Sequence, residues 1–167
     1  MEFLLKQQEP YPAIVLDRHW NLLQSNEGAA RLVHFVLGAI PKEPNIVRHV
    51  LCDEYLKPFI ANWNEVARDI IRRQEIAWVP TDETLQSLLS EVLAYPDVPE
   101  QWRAPELEAP ASPLLNFVIR KVEVELRFST WTTFGSPHDV TLEELRIESS
   151  FPADEATARA WQRIISS

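Results

Sequence analysis

The sequence predicts an α+β fold with the element order β-β, helices, β-β-β, helix. Three observations lead to this prediction. The stretch 122–151 alternates between apolar and polar residues on both sides of a turn-rich segment at 135–139, which is typical of a long antiparallel hairpin. Apolar runs at 13–16, 20–24 and 114–121 add three shorter strands. Between them, apolar residues recur at helical spacing through the middle of the chain.

The long hairpin defines a buried face. On its first strand, the inward side of the alternation is Val122, Val124, Leu126, Phe128, Thr130, Thr132 and Phe134. On its second strand, we expect Leu145, Ile147, Ser149 and Phe151 on the apolar face, opposed to Glu144, Arg146, Glu148 and Ser150. An amphipathic hairpin of this size is not stable alone, so other elements must cover its apolar face.

The N-terminal half begins with a strand, a turn, a second strand and a helix. Either Ser25 or Asn26 can cap the start of that helix, because both side chains accept hydrogen bonds from free backbone N–H groups. The helix is expected to end near Gly38, just before Pro41. A short amphipathic helix follows at 46–51.

The middle of the chain predicts one long helix from Glu54 to about Val79, where Pro80 stops it. At about 25 residues it would be ~35 Å long. Thr81 or Asp82 caps the next helix. Residues 95–113 contain five prolines and are predicted to form an ordered strap pinned by Trp102, and a C-terminal helix starts at or just before Asp154, after Pro152.

Length and composition favour a single domain that spans residues 1–167. The chain has 167 residues, 46% of them hydrophobic and 25% charged, and domains of about 100–150 residues are the commonest. Cys52 is the only cysteine, so a cytoplasmic location is expected. No apolar run approaches the ~20 residues of a membrane span. A net charge of −9 repels phosphate backbones, which argues against DNA binding by this chain itself.

Four segments resemble one known family. They are PYPAIVLDRHWNLLQSNEGAARL at 10–32, NWNEVARDIIRR at 62–73, LLSEVLAYPDVPEQWR at 88–103 and FSTWTTFGSPHDVTLEELRIESSFPADEAT at 128–157. Together they are similar to the C-terminal, MmyB-like ligand-binding domain of bacterial XRE-type transcription regulators. The resemblance covers nearly the whole chain in the expected order, and the last segment is its most specific part.

The resemblance implies a PAS-like fold, in which a five-stranded antiparallel sheet carries helices over one face. It also implies a small amphipathic ligand, with fatty acids as the favoured class, bound between sheet and helices. Such regulators carry a helix-turn-helix domain ahead of this one. That domain is not in this chain, whether it was removed or is naturally missing. DNA contact is therefore expected only through a separate helix-turn-helix domain.

A ligand site is predicted between the sheet and the long helix. Its floor would be formed by Phe117, Leu126, Phe128, Thr130 and Ile147, and its lid by Trp63, Val66 and Ile70. The ligand's polar end would meet Thr132, Asn62 and one arginine, for which Arg72, Arg68, Arg73 and Arg146 are the candidates. The structural alternatives are that Trp63 belongs to the core, that Asn62 is bonded locally, and that the two threonine hydroxyls bond to backbone.

Other chemistry has weaker support in the sequence. His49 and Cys52 have the spacing of two metal ligands, but a zinc site needs three or four and no further histidine has a suitable spacing. Ser136, His138 and Asp139 are too close together in a turn to act as a hydrolytic triad. We therefore expect no enzyme activity, no metal and no cofactor other than a bound fatty acid or similar molecule.

Two functions stay open on the sequence alone. The first is a sensory domain that binds a small apolar or amphipathic ligand for a transcription regulator. The second is a PAS-like dimerisation module whose groove is filled by its own side chains. A homodimer is expected because Trp131 is out of phase with the apolar face of its strand and Trp161 gives the last helix an apolar stripe with Ile164 and Ile165. The alternative for that helix is packing on its own sheet.

Overall fold

The structure is a computed structural model that describes residues 2–76, 82–103, 114–134 and 145–166. Its helices are α1 (Glu2–Gln7), α2 (Glu27–Leu37), α3 (Ile46–Leu51), α4 (Trp63–Ile76), α5 (Glu83–Leu93) and α6 (Glu155–Ile165), with short 3-10 helices at Lys57–Phe59 and Glu100–Arg103. Its strands are β1 (Ala13–Leu16), β2 (Leu22–Ser25), β3 (Leu114–Lys121), β4 (Val124–Phe134) and β5 (Arg146–Pro152). Three predicted features lie outside the described residues: the helix end at 77–79, most of the proline strap and the turn at 135–139.

The five strands form one antiparallel sheet in the order β2-β1-β5-β4-β3. The chain's first and last strands therefore pair at the centre, with β2 outside β1 on one side and β4 and β3 outside β5 on the other. Helices cover one face of this sheet, and α6 ends the described chain. The predicted α+β class, the five-stranded antiparallel sheet and the C-terminal helix are confirmed, and the arrangement is consistent with a PAS-like fold.

Asn26 joins the start of α2 to the first strand. Its Oδ1 accepts hydrogen bonds from the backbone N–H of Ala29, inside the helix, and of Ala13 in β1, both at 2.9 Å. Its Nδ2 donates to the Tyr11 carbonyl at 2.8 Å. The helix passes so close to this segment that a Cβ at Gly28 would lie 2.6 Å from the Pro10 carbonyl oxygen. The helix start is thus fixed against the sheet.

The prediction of one long helix from 54 to 79 was wrong. A 3-10 turn at Lys57–Phe59 comes first, Ile60 is extended and bridges to Ile119 of β3, and a turn at 61–62 then leads into α4 at Trp63. This segment pairs with the edge of β3, where the Ala61 N–H donates to the Val118 carbonyl and the Val118 N–H donates to Asn62 Oδ1. These edge hydrogen bonds favour extended backbone over a continuous helix.

The predicted orientation of the last strand was also wrong. In the β4–β5 register, Thr130 lies opposite Ser150 and Thr132 lies opposite Glu148, so Glu148 and Ser150 face the helices. Ile147 points to the other side of the sheet. There it packs with Leu5 of α1 and with Ala13, Val15 and Leu145. Ile147 of β5 therefore belongs to a second, smaller core, whereas Glu148 and Ser150 point towards the main one.

Val122 was predicted on the buried face of the hairpin but lies in the turn between β3 and β4. Its φ is 54° and its side chain is 89% exposed. Because Lys121 pairs with Val124, residues 122–123 form the turn between the two strands. The sequence does not indicate this turn, because Val122 is apolar and fits the alternation of a strand. From Val124 onward the predicted inward face is correct, since Leu126, Phe128 and Thr130 are buried.

The C-terminal helix packs on its own sheet. The Trp161 side chain is fully buried, and its ring meets Phe128 of β4 edge-on with 5.7 Å between ring centroids. Its Nε1 donates to the Pro10 carbonyl at 2.9 Å. Trp161 is therefore not available as a dimer contact, whereas Trp131 on the outer face of β4 is 51% exposed.

Candidate ligand-binding site

A cavity of about 320 Å³ lies between the sheet and helices α2, α3 and α4. This is within the range of ~300–1,000 Å³ for small-molecule pockets. The sheet contributes Ile14, Leu115, Phe117, Thr130, Glu148 and Ser150 to its wall. The helices contribute Ala29, Ala30, Leu32, Val33, Ile46, His49, Val50, Val66, Ile70 and Arg73. Most of this lining is apolar.

The connection between α2 and α3 forms the mouth of the cavity. Residues 40–44 all line it, and the Ile40 side chain is 66% exposed. Gly38 ends α2 with a φ of 78°, which turns the chain out of the helix and into this connection. The mouth is thus a short irregular segment anchored between two helices.

Small side chains on α2 help to keep the space open. Ala29, Ala30 and Val33 face the cavity along one side of the helix. Opposite them, β4 and β5 present Thr130 and Ser150, which are short as well. Where short side chains face each other across a layer, the interior is not filled by the protein itself.

Hydroxyl groups, a carboxyl group and a guanidinium form the polar floor, which we define as Thr130, Thr132, Glu148, Ser150 and Arg73. The hydroxyls of Thr130 and Ser150 are hydrogen-bonded at 2.7 Å. Arg73 reaches across from α4, and its Nη1 donates to Thr132 Oγ1 at 3.1 Å. Its Nε donates to Asp69 Oδ2, one helical turn earlier, at 2.5 Å. Arg73 thus links the helix layer to the sheet.

Burial shifts the pKa values of two side chains on β5, Glu148 and Arg146. It raises the pKa of Glu148, and the neighbouring positive charges of Arg146 and Arg73 offset only part of that rise. Burial likewise lowers the pKa of Arg146. The Arg146 guanidinium lies 3.9 Å from the centre of the Trp20 ring, a cation–π contact beneath the cavity. Two ionisable groups are therefore held in a partly apolar environment.

His49 of α3 completes the polar part of the lining. Its ring is buried, stacks on Tyr55 at 5.0 Å between centroids, and donates from Nε2 to the Glu43 carbonyl at 2.6 Å. Burial lowers the pKa of His49 more than its interactions with Glu43 raise it. A neutral imidazole here ties α3 to the mouth of the cavity.

The cavity agrees with what comparison with known families shows. The family model of the MmyB-like transcription regulator ligand binding domain matches residues 1–164. The chain belongs to this family. A comparison with curated proteins gave no significant match. The predicted resemblance is confirmed, and the protein is a ligand-binding domain of the kind found in transcription regulators.

Four of the predicted site residues line the cavity of this MmyB-like domain: Val66, Ile70, Phe117 and Thr130. Two more, Leu126 and Phe128, face the same side of the sheet but are fully buried in the core beyond it. Thr132 also faces this side and binds Arg73. The predicted floor is thus partly assembled around the cavity.

The other predicted residues lie elsewhere. Ile147 is on the opposite face of the sheet. Asn62 holds the edge of β3, donating from Nδ2 to the Asn116 carbonyl and accepting from the Val118 N–H. Trp63 donates from Nε1 to the Val50 carbonyl at 2.8 Å and packs against Trp102. Arg72 is on α4 outside the lining, and among the candidate arginines the one that lines the cavity is Arg73.

Sequence reasoning missed the contributions of α2, α3 and the mouth. The run Gly28-Ala29-Ala30 was a usable signal, because several small residues in one helix turn suggest close approach or open space. The polar residues Glu148 and Ser150 gave no such signal. Their alternation with apolar residues on β5 has the same form whichever side faces the core.

Within the described ranges, no three His, Cys, Asp or Glu side chains come together as a metal site. No helix in that part of the chain combines the length and the apolar character needed to cross a membrane.

Proposed function

We propose that this MmyB-like domain is a sensory domain that binds one small amphipathic molecule with a fatty-acid-like chain. The observation that supports this is the cavity itself, a mainly apolar space of about 320 Å³ whose lining includes Thr130, Glu148, Ser150 and Arg73 of the polar floor. Apolar walls contribute roughly 0.8 kcal/mol for each ligand methylene removed from water. The floor then fixes the orientation of the polar end.

The elements around the cavity suggest how occupancy is passed on. The ligand would contact three helices and the sheet at once, and Arg73 already joins α4 to β4 through Thr132. A bound chain therefore stabilises one arrangement of the helix layer relative to the sheet, as any ligand stabilises the state it binds best. DNA would be contacted by a separate helix-turn-helix domain, and the regulator would act in the cytoplasm.

The cavity also favours binding over catalysis and over a self-filled core. Its two buried hydroxyls bond to each other and His49 donates to a backbone carbonyl, so His49 is not placed as a base for either hydroxyl. A dimerisation module with a self-filled groove would not leave this space. A homodimer remains compatible with sensing, through the outer face where Trp131 and Phe151 are exposed on neighbouring strands.

Binding is tested directly with the purified protein. Native mass spectrometry should detect a co-purifying lipid, and calorimetry after delipidation should show one site for 1-alkanols from hexanol to dodecanol. Affinity should rise by about fourfold per added methylene until the cavity is full. No saturable binding of any of these alkanols, and no co-purified lipid, would refute the proposal.

A further inference from the structure

The polar floor contains a carboxyl group that receives no hydrogen bond from any residue that the structure describes. Glu148 lines the cavity. In the part of the chain that the structure describes, its carboxyl is influenced by burial and by the charges of Arg146, Arg73 and Asp69, and no donor contacts it. Buried polar groups are normally satisfied by protein, water or ligand. A ligand that displaces water from the floor must therefore supply a donor to Glu148 or leave it unsatisfied.

Two guanidinium groups, those of Arg73 and Arg146, act on Glu148 through their charge. Arg73 donates to Asp69 and to Thr132. Arg146 stacks on the Trp20 ring. The two positive charges that act on Glu148 are thus matched by two negative ones, its own and that of Asp69. An incoming carboxylate finds no excess positive charge at this end of the cavity.

The remaining charged and titratable groups along the cavity do not change this balance. Lys42 and Glu43 both line the mouth, one of each sign. His49 of α3 donates to the Glu43 carbonyl, and its burial favours the neutral ring. From β4, the groups that face Glu148 and its neighbour Ser150 are the hydroxyls of Thr132 and Thr130, and β1 places Ile14 beside it.

We propose that the polar end of the ligand lies against Glu148 and donates a hydrogen bond to its carboxylate. This rests on the proposed function and specifies the ligand class. The site takes chains that end in a neutral donor, such as a hydroxyl or a primary amide, and takes a fatty acid only together with one proton.

The proton balance follows from like-charge repulsion. Two carboxylates in contact cannot both stay ionised, so the fatty-acid complex holds one proton between the two oxygens. No covalent bond forms or breaks. Where free Glu148 is ionised, binding of the acid takes up this proton from solvent, and affinity falls by about tenfold per pH unit. Below the pKa of Glu148, which burial raises, the protein already carries the proton and the dependence disappears.

Calorimetry with decanol and decanoate across a pH series from about 5 to about 9 tests the proposal. With the wild-type protein, the Kd of decanol should change by less than about twofold while that of decanoate rises by about tenfold per unit in the upper part of the series. In Glu148→Gln, the amide can donate to a carboxylate and accept from an alcohol. Decanoate should then lose its pH dependence and bind more tightly than to wild type at the highest pH.

Glu123→Gln, in the exposed β3–β4 turn, is the matched control and should behave as wild type. If Glu148→Gln fails to fold, the comparison of decanol and decanoate on the wild-type protein still tests whether the ligand binds Glu148. Decanoate that binds with the same pH-independent affinity as decanol would overturn the assignment of Glu148 and leave the proposed function standing. Failure of both ligands to bind at every pH would overturn both proposals.

Discussion

Replacing Ala30 by leucine should shorten the chain that the cavity accepts. Ala30 lies on α2 and lines the cavity wall. Leucine and alanine have similar helix propensities, so the helix itself is little affected. Leucine carries three more carbon atoms, which would occupy the space of about three ligand methylenes at ~0.8 kcal/mol each. The expected loss for a chain that fills the wild-type cavity is about 2.4 kcal/mol, or about fiftyfold in Kd.

The assay is calorimetric titration with the 1-alkanol series on wild type and on Ala30→Leu. The longest alkanols that bind wild type should bind Ala30→Leu with about fiftyfold lower affinity, and alkanols about three carbons shorter should bind both proteins equally well. The control is Ala156→Leu on the exposed side of α6, which makes the same chemical change away from the cavity. Unfolding free energies of the two variants should differ by less than about 1 kcal/mol, since the added leucine fills space rather than displacing packed atoms.

An equal loss of affinity for all chain lengths in Ala30→Leu would contradict this prediction, because a smaller cavity should weaken the binding of long chains only. The prediction is also wrong if Ala30→Leu binds the longest alkanol as wild type does. Either result would place the ligand outside the space between α2 and the sheet.

Two further predictions concern the supports of the site. Trp161→Ala should cost about 3–5 kcal/mol of unfolding free energy in urea titrations, because it removes a fully buried ring and the donor to the Pro10 carbonyl. Trp131→Ala should cost less than about 0.5 kcal/mol in the monomer and should abolish any dimer seen by sedimentation. Equal costs for the two variants would contradict the placement of α6. His49 should make stability depend on pH: its pKa is lowered in the folded state, so the unfolded state alone takes up a proton as pH falls below about 6.5, and stability is lost from there downward. His49→Gln keeps a donor for the Glu43 carbonyl and should flatten this part of the profile, and an unchanged slope would exclude His49 as its source.

Local sequence patterns determined much of the fold. Capping side chains marked helix starts at Asn26, Asp82 and Asp154, and each accepts the predicted backbone hydrogen bond. Period-two alternation located the inward face of β4 correctly at Leu126, Phe128 and Thr130. These features depend on a few neighbouring residues, which is why they can be predicted without the tertiary structure. The family resemblance supplied the PAS-like architecture and the expectation of a ligand site between sheet and helices.

The candidate site was only partly predictable, because its walls come from elements that are distant in the chain. Val66, Ile70 and Phe117 could be assigned from their periodicity. The helix α2 and the mouth could not, since an apolar stripe indicates burial without naming the surface that covers it. The exclusion of Trp63 from the cavity likewise depends on its hydrogen bond to Val50, a contact between two helices.

The sequence by itself determined where most of the strands and helices lie, and the acidic, single-cysteine character of the chain. Only the tertiary structure decided which way β5 faces. Its alternation allows either side to be buried, and the choice is made by its register against β4 and by Leu5 of α1, which covers Ile147 on the opposite face. That choice turns Glu148 and Ser150 toward the helices and gives the cavity its polar floor. The physical reason is that side-chain alternation fixes two faces of a strand, while pairing partners and covering helices determine which of them faces the cavity.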